Sequence, residues 1–95
     1  MKYAAVIEYL TDKDKVEAIR PAHRQYLRGL LEKGKIAATG PFLDGYGALI
    51  VYEADSPEEA ESLIEGDPFH ANGVFVSWVV RPWNVVMANR ELFPA

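Results

Sequence analysis

His23 interrupts an otherwise apolar helical stripe, and that makes it the first residue to explain. The stripe runs Val16, Ile19, His23, Tyr26, Leu27, Leu30 and Leu31, at spacings of three and four that share one helix face. An imidazole on such a face points toward the protein interior, where an unpaired ring nitrogen costs about 1–3 kcal/mol. A polar partner is therefore required. Asp67 is the strongest candidate, because it follows Gly66 and precedes Pro68, which drives it out of the helical region into an extended turn. A carboxylate that accepts from one imidazole nitrogen fixes the tautomer and raises the basicity of the other, which prepares a histidine for proton abstraction. Plainer roles fit the same residues: a core histidine satisfied by one hydrogen bond, and an Asp-Pro turn whose side chain bonds its own backbone.

Arg20 lies three residues before His23 and shares its face, whereas Arg24, the next residue, is rotated by about 100°. Arg20 is thus the expected anion contact, with pairing to a surface carboxylate as its plainer role. Gly40-Pro41 closes an extended segment, where it either brings backbone close to a ligand or serves a turn that needs positive φ. His70 sits beside Phe69 in a loop, and a lone loop imidazole is more often solvent-facing than catalytic. Neither histidine has a partner at zinc-motif spacing, so no metal is expected. The 95 residues contain no cysteine, which removes thiolate nucleophiles, disulfides, iron–sulfur clusters and thiolate zinc sites together. G-x-S-x-G, P-loop and G-x-G-x-x-G patterns are absent as well.

The elements that must position these groups follow from periodicity. Tyr3 to Tyr9 alternates as a first strand, with Tyr3, Ala5, Ile7 and Tyr9 on one face and Ala4 and Val6 on the other. Thr11 or Asp12 caps the main helix, which Gly34 closes; Pro21 is expected to break it, leaving Asp12 to Arg20 apart and a regular segment from Pro21 to Lys33. Lys35 to Phe42 and Tyr46 to Glu53 form a hairpin around Leu43-Asp44-Gly45. Ser56-Pro57-Glu58-Glu59 is a capping box that opens a second helix running to Gly66. After a loop from Asp67 to Gly73, Val74 to Val80 and Arg81-Pro82-Trp83 make the last strand, followed by a tail to Ala95. The order βαββαβ is the ferredoxin-like pattern, an α+β fold with a four-stranded antiparallel sheet and both helices on one face. Because the strands are apolar on both sides, the uncovered face needs a partner, and a face-to-face homodimer is the simplest one.

Hydrophobic residues make up 49% of the chain and charged residues 25%, the balance of one ordinary globular domain spanning residues 1–95. Ten basic against 14 acidic residues give a net charge of −4, which argues against nucleic acid as a partner. No apolar run reaches the ~20 residues of a membrane-spanning helix, and the N-terminus carries no signal-peptide pattern, so a cytoplasmic protein without membrane contact is expected.

His23-x-x-Tyr26-Leu27, Gly34, Gly40-Pro41, Asp67-Pro68-Phe69, Ala71-x-Gly73 and Arg81-Pro82-Trp83, in that order and spacing, resemble the YCII-related (YciI-like) family over nearly the whole chain. The resemblance implies a dimeric α/β barrel and a His–Asp active site, which falls here on His23 and Asp67. It also implies proton transfer on a small acid or enol, often derived from an aromatic ring, since relatives act as a dehydrochlorinase or resemble muconolactone isomerase. His70, directly after Asp67-Pro68-Phe69, and the tail with Asn84, Asn89 and Arg90 depart from the pattern.

The combined reading is a small, homodimeric, cofactor-independent lyase or isomerase. In it His23 is the general acid/base, Asp67 orients it, and Arg20, Tyr26, Gly40, Pro41 and Phe69 bind a small anionic or aromatic-derived substrate. The dyad is expected at the floor of a pocket between the main helix and the Asp67 to Gly73 loop. Two rival readings use the same architecture: a non-enzymatic small-molecule-binding or accessory module, and a monooxygenase-like or haem-handling protein with His23 near Trp78 or Trp83.

Overall fold

The computed structural model describes residues 1–94, so Ala95 at the end of the tail lies outside the described residues. Four strands, β1 (Lys2–Tyr9), β2 (Ile36–Pro41), β3 (Gly47–Glu53) and β4 (Phe75–Trp83), form one sheet in the order β2-β3-β1-β4 with every neighbour antiparallel. Helices α1 (Lys13–Glu32) and α2 (Pro57–Glu65) complete the expected βαββαβ order. A single-turn helix, α3 (Pro68–Ala71), occupies what the sequence presents as a plain loop. Pro68 supplies its first turn and Asp67 its cap, so the Asp-Pro dipeptide starts a helix as well as ending an extended residue.

The helices cover the face of the sheet that carries Tyr3, Ala5, Ile7 and Tyr9 of β1 and Ala48, Ile50 and Tyr52 of β3, all buried. Against them pack Val16, Leu27 and Leu30 of α1, Ile64 of α2 and Phe69 of α3, giving the main core. Regular alternation in β1 makes this possible, because a period of two places every second side chain on the helix side.

α1 runs unbroken through Pro21, contrary to the break that proline predicts. Pro21 and Glu17 are both exposed, so water can satisfy the Glu17 carbonyl that loses its donor. Strong ends hold the remaining turns. The Asp12 side chain accepts from the Lys15 N–H, and at the far end the Lys35 and Gly34 N–H groups donate to Leu30 and Leu31, with Gly34 at φ +74°. The capping box of α2 is present in altered form: Ser56 Oγ accepts from the Glu59 N–H, while the Glu59 carboxylate accepts from Asp55 N–H at 2.7 Å.

On the far face of the sheet Leu49, Val6 and Val79 lie side by side across β3, β1 and β4, and they remain 37, 42 and 59% exposed. A bulge between β1 and β4 takes up Val76, breaking the simple alternation expected across Val74 to Val80. Beyond β4 the tail forms one 3-10 turn at Arg90–Leu92.

Candidate active site

α1 and α3 bring His23 and Asp67 together across 44 residues of sequence, with His23 Nδ1 at 2.8 Å from each carboxylate oxygen of Asp67. Both side chains are buried, Asp67 completely. Asp67 Oδ1 also accepts from the Phe69 N–H at 2.8 Å, so the carboxylate is fixed by the backbone of the helix it caps. The two roles open to this aspartate in the sequence, local turn former and histidine partner, are therefore filled by the same oxygen.

Aromatic packing sets the plane of the imidazole. Phe69 stacks on His23 with centroids 3.9 Å apart and an interplanar angle of 10°, and Phe75 meets it edge-on at 6.1 Å. A carboxylate acceptor requires the proton on Nδ1, so in the neutral imidazole the lone pair falls on Nε2. Nε2 has no hydrogen-bond partner among the described residues. Among the described residues the one side-chain polar atom both sealed from solvent and unpartnered is the Tyr52 hydroxyl, so Nε2 is not sealed.

Nε2 opens onto a cleft of about 240 Å3 between α1 and the strand ends, lined by His23, Leu27 and Leu31 with Tyr9, Thr39, Gly40, Pro41 and Ala48. The cleft thus lies on the β2 side of α1, where Asp67 stands behind His23, and not against the Asp67 to Gly73 segment as expected. Arg20, Arg24 and Arg28 follow one another at successive turns along its rim. Arg20 is partly engaged, its Nε and Nη2 donating to Glu17 Oε1 at 3.1 and 3.0 Å. Arg24 and Arg28 have no carboxylate partner among the described residues.

Burial pushes the Tyr9 phenol up to about 12, with the Arg20 and Arg24 guanidiniums pulling against it and the Asp67 carboxylate adding to it. Burial also raises the Tyr26 and Tyr52 phenols, again with the Asp67 charge acting in the same direction.

Of the residues expected to contact substrate, Gly40, Pro41 and Arg20 line the cleft. Gly40 does so from within β2, in ordinary extended backbone with open space where a Cβ would stand, so no positive-φ turn explains it. Tyr26 does not reach the cleft: its hydroxyl donates to the Leu63 carbonyl at 2.7 Å and packs against Gly66, tying α1 to the end of α2. Phe69 is fully buried behind the imidazole and positions it. Tyr9 and Arg28 escaped the sequence reading, and Arg24 was set aside there as rotated from the His23 face; the spacing of the arginines from Arg20 at four and eight residues was the available signal. His70 lies edge-on to Trp78 at 5.4 Å, away from the cleft. Among the described residues no three His, Cys, Asp or Glu side chains gather as a metal site.

The YCII-related domain model matches residues 1–84. The chain belongs to the YCII-related family. Protein YciI of Escherichia coli O6:H1 is 30% identical over 92 residues, covering 82% of this chain and 94% of that protein. Protein YjpA of Bacillus subtilis is 39% identical over 51 residues, covering 54% of this chain and 60% of its own length. Among solved structures, 5-chloro-2-hydroxyhydroquinone dehydrochlorinase (TftG) of Burkholderia phenoliruptrix AC1100, in complex with 2,5-dihydroxybenzoquinone, superposes with a TM-score of 0.77. It is 29% identical and covers 88% of this chain and 94% of its own. The family match ends at residue 84, so most of the tail with Asn89 and Arg90 falls beyond it.

Proposed function

We propose that this YCII-related chain is a cofactor-independent enzyme of the lyase or isomerase kind, moving a proton on a small anionic substrate with a ring-sized apolar body. The observation that carries this reading is the buried His23–Asp67 pair with Nε2 open to the cleft. In the proposed step Nε2 takes a proton from carbon, Asp67 stabilises the imidazolium that results, and the proton returns at another atom or a leaving group departs. Leu27, Leu31, Pro41 and Ala48 would hold the body of the substrate, while Arg24 and Arg28, free of carboxylates, would hold its negative charge. The likeness to a dehydrochlorinase holding a dihydroxybenzoquinone supports this substrate class. The cleft is below the range of about 300–1,000 Å3 typical of sites for drug-sized ligands, which supports a small metabolite over a haem.

In the same proposal the working unit is a face-to-face homodimer, each copy one domain. Leu49, Val6 and Val79 make a contiguous apolar row that the helices do not cover, and a second sheet laid on it would remove that row from water.

Solvent exchange tests the chemistry. Small hydroxylated aromatic acids, quinols and 5-chloro-2-hydroxyhydroquinone are incubated with the protein in D2O and followed by proton NMR for exchange or product. Wild-type protein is expected to act on at least one, with His23→Gln at least 100-fold slower. Ligands that bind in the cleft without exchange or turnover would instead establish a binding module.

A further inference from the structure

Tyr9, like His23, is a ring of the cleft lining that keeps a polar atom without a hydrogen-bond partner among the described residues. It lines the cleft, its hydroxyl makes no hydrogen bond among the described residues, and the hydroxyl is not sealed from solvent. Its ring is nevertheless held tightly, 8% exposed, with the edge of Phe69 at 5.2 Å and the stacked face of Phe75 at 6.1 Å. The same two phenylalanines hold His23, so an imidazole from α1 and a phenol from β1 are fixed on one aromatic frame. A phenylalanine at position 9 would fill that frame equally well and leave no hydroxyl to desolvate. Tyr26 shows the contrast, since its hydroxyl is satisfied by the Leu63 carbonyl.

We propose that Tyr9 is a second catalytic residue, its hydroxyl donating a hydrogen bond to the substrate oxygen that gains charge while His23 Nε2 takes a proton from the adjacent carbon. The inference rests on the proton-transfer reading above and narrows its substrate class to compounds with a C–H next to a carbonyl, such as keto tautomers of hydroxylated rings. The C–H bond breaks and its electron pair forms the enolate double bond. The carbonyl π pair moves to oxygen, where the Tyr9 O–H holds it, and the proton stays on Nε2. Its return to a different atom completes an isomerisation; alternatively the enolate expels a leaving group, which departs with its electron pair, completing an elimination. With its phenol held up to about 12, Tyr9 stays protonated throughout and acts as donor, not base.

The probe is 2,5-dihydroxybenzoquinone, an acidic dihydroxyquinone whose ionised oxygens resemble the charge that develops. Its binding to wild-type protein, Tyr9→Phe and Arg24→Gln is measured by calorimetry and by the visible absorbance of the quinone, alongside melting temperatures. Wild-type protein is expected to bind and shift the absorbance. Tyr9→Phe should keep the melting temperature, weaken binding by about 10- to 100-fold, the range for a lost hydrogen bond to a charged group, and reduce the shift. Arg24→Gln should weaken binding while leaving the shift in place. Tyr9→Phe that binds like wild type overturns the role of Tyr9 alone. Weaker binding with an equally lowered melting temperature also overturns it, because packing then explains the loss. Wild-type protein that binds no quinone overturns both this inference and the proposed function.

Discussion

The two faces of the sheet differ in what covers them. On the covered face Ile7, Ile50 and Tyr52 are fully buried, and the same packing that buries them holds His23 and Asp67 at hydrogen-bond distance. On the open face Val6, Leu49 and Val79 occupy the alternate positions of the same strands and remain largely in water. On the proposed reading, neighbouring residues of one strand face different tasks, chemistry behind one face and assembly in front of the other, so substitutions one residue apart should fail in different assays.

The largest effects belong to the covered face. Asp67→Ala removes the partner of a buried imidazole and the cap of α3 together, and is expected to abolish turnover and cost about 3 kcal/mol of stability in urea unfolding. His23→Gln should lose turnover at least as completely while costing less stability, since Asp67 keeps its backbone donor. Next comes the strand pair: Ile50→Ala should cost about 3–4 kcal/mol by opening a cavity in the core, whereas Leu49→Ala should leave the unfolding energy of each chain nearly unchanged and loosen the proposed dimer. Val79→Asp should give a folded monomer near 10.6 kDa in light scattering. A wild-type monomer at micromolar concentration would break the comparison outright.

Alkaline pH gives a smaller effect of known sign. Tyr9, Tyr26 and Tyr52, with phenols raised from 10.0, all point into the covered side. The unfolded chain ionises these phenols first, so their contribution is complete below about pH 10 and is lost as the pH rises from there toward and beyond 12. Thermal melts at stepped pH should show this decline, and phenolate absorbance from Tyr52 should appear only with unfolding. The least sensitive position is the border of the open face, where Lys2 and Glu53 pair at 2.9 Å in partial exposure. Glu53→Gln should barely move the melting temperature, and less still in high salt.

Periodicity made most of this frame legible. The alternation of β1, the Ser56-Pro57 start of α2 and the polar break that His23 makes in an apolar stripe lead to the topology and to the His23–Asp67 contact. What stayed hidden depends on distances between elements. Pro21 reads as a helix breaker because its missing N–H is visible in the sequence, while the exposure that opens the Glu17 carbonyl to solvent is not. The location of the cleft depends on how α1 lies over β2, which no local pattern encodes. Arg24 looked misdirected because a helix turns about 100° per residue, yet the cleft is wide enough that Arg24 lines it with Arg20. Tyr9 read as a core residue by alternation, and it is one, yet it also lines the cleft.

Asp67 Oδ1 accepts from an imidazole and from the backbone N–H of Phe69 at the same time, which has a consequence for descent. A lineage that abandoned the proposed reaction would still need this carboxylate to start α3, so selection for folding alone would retain it. The histidine carries no such second obligation to the backbone. In a chain built this way, a surviving aspartate testifies to a maintained scaffold, and the imbalance between the two residues across a set of descendants would mark where the chemistry was given up.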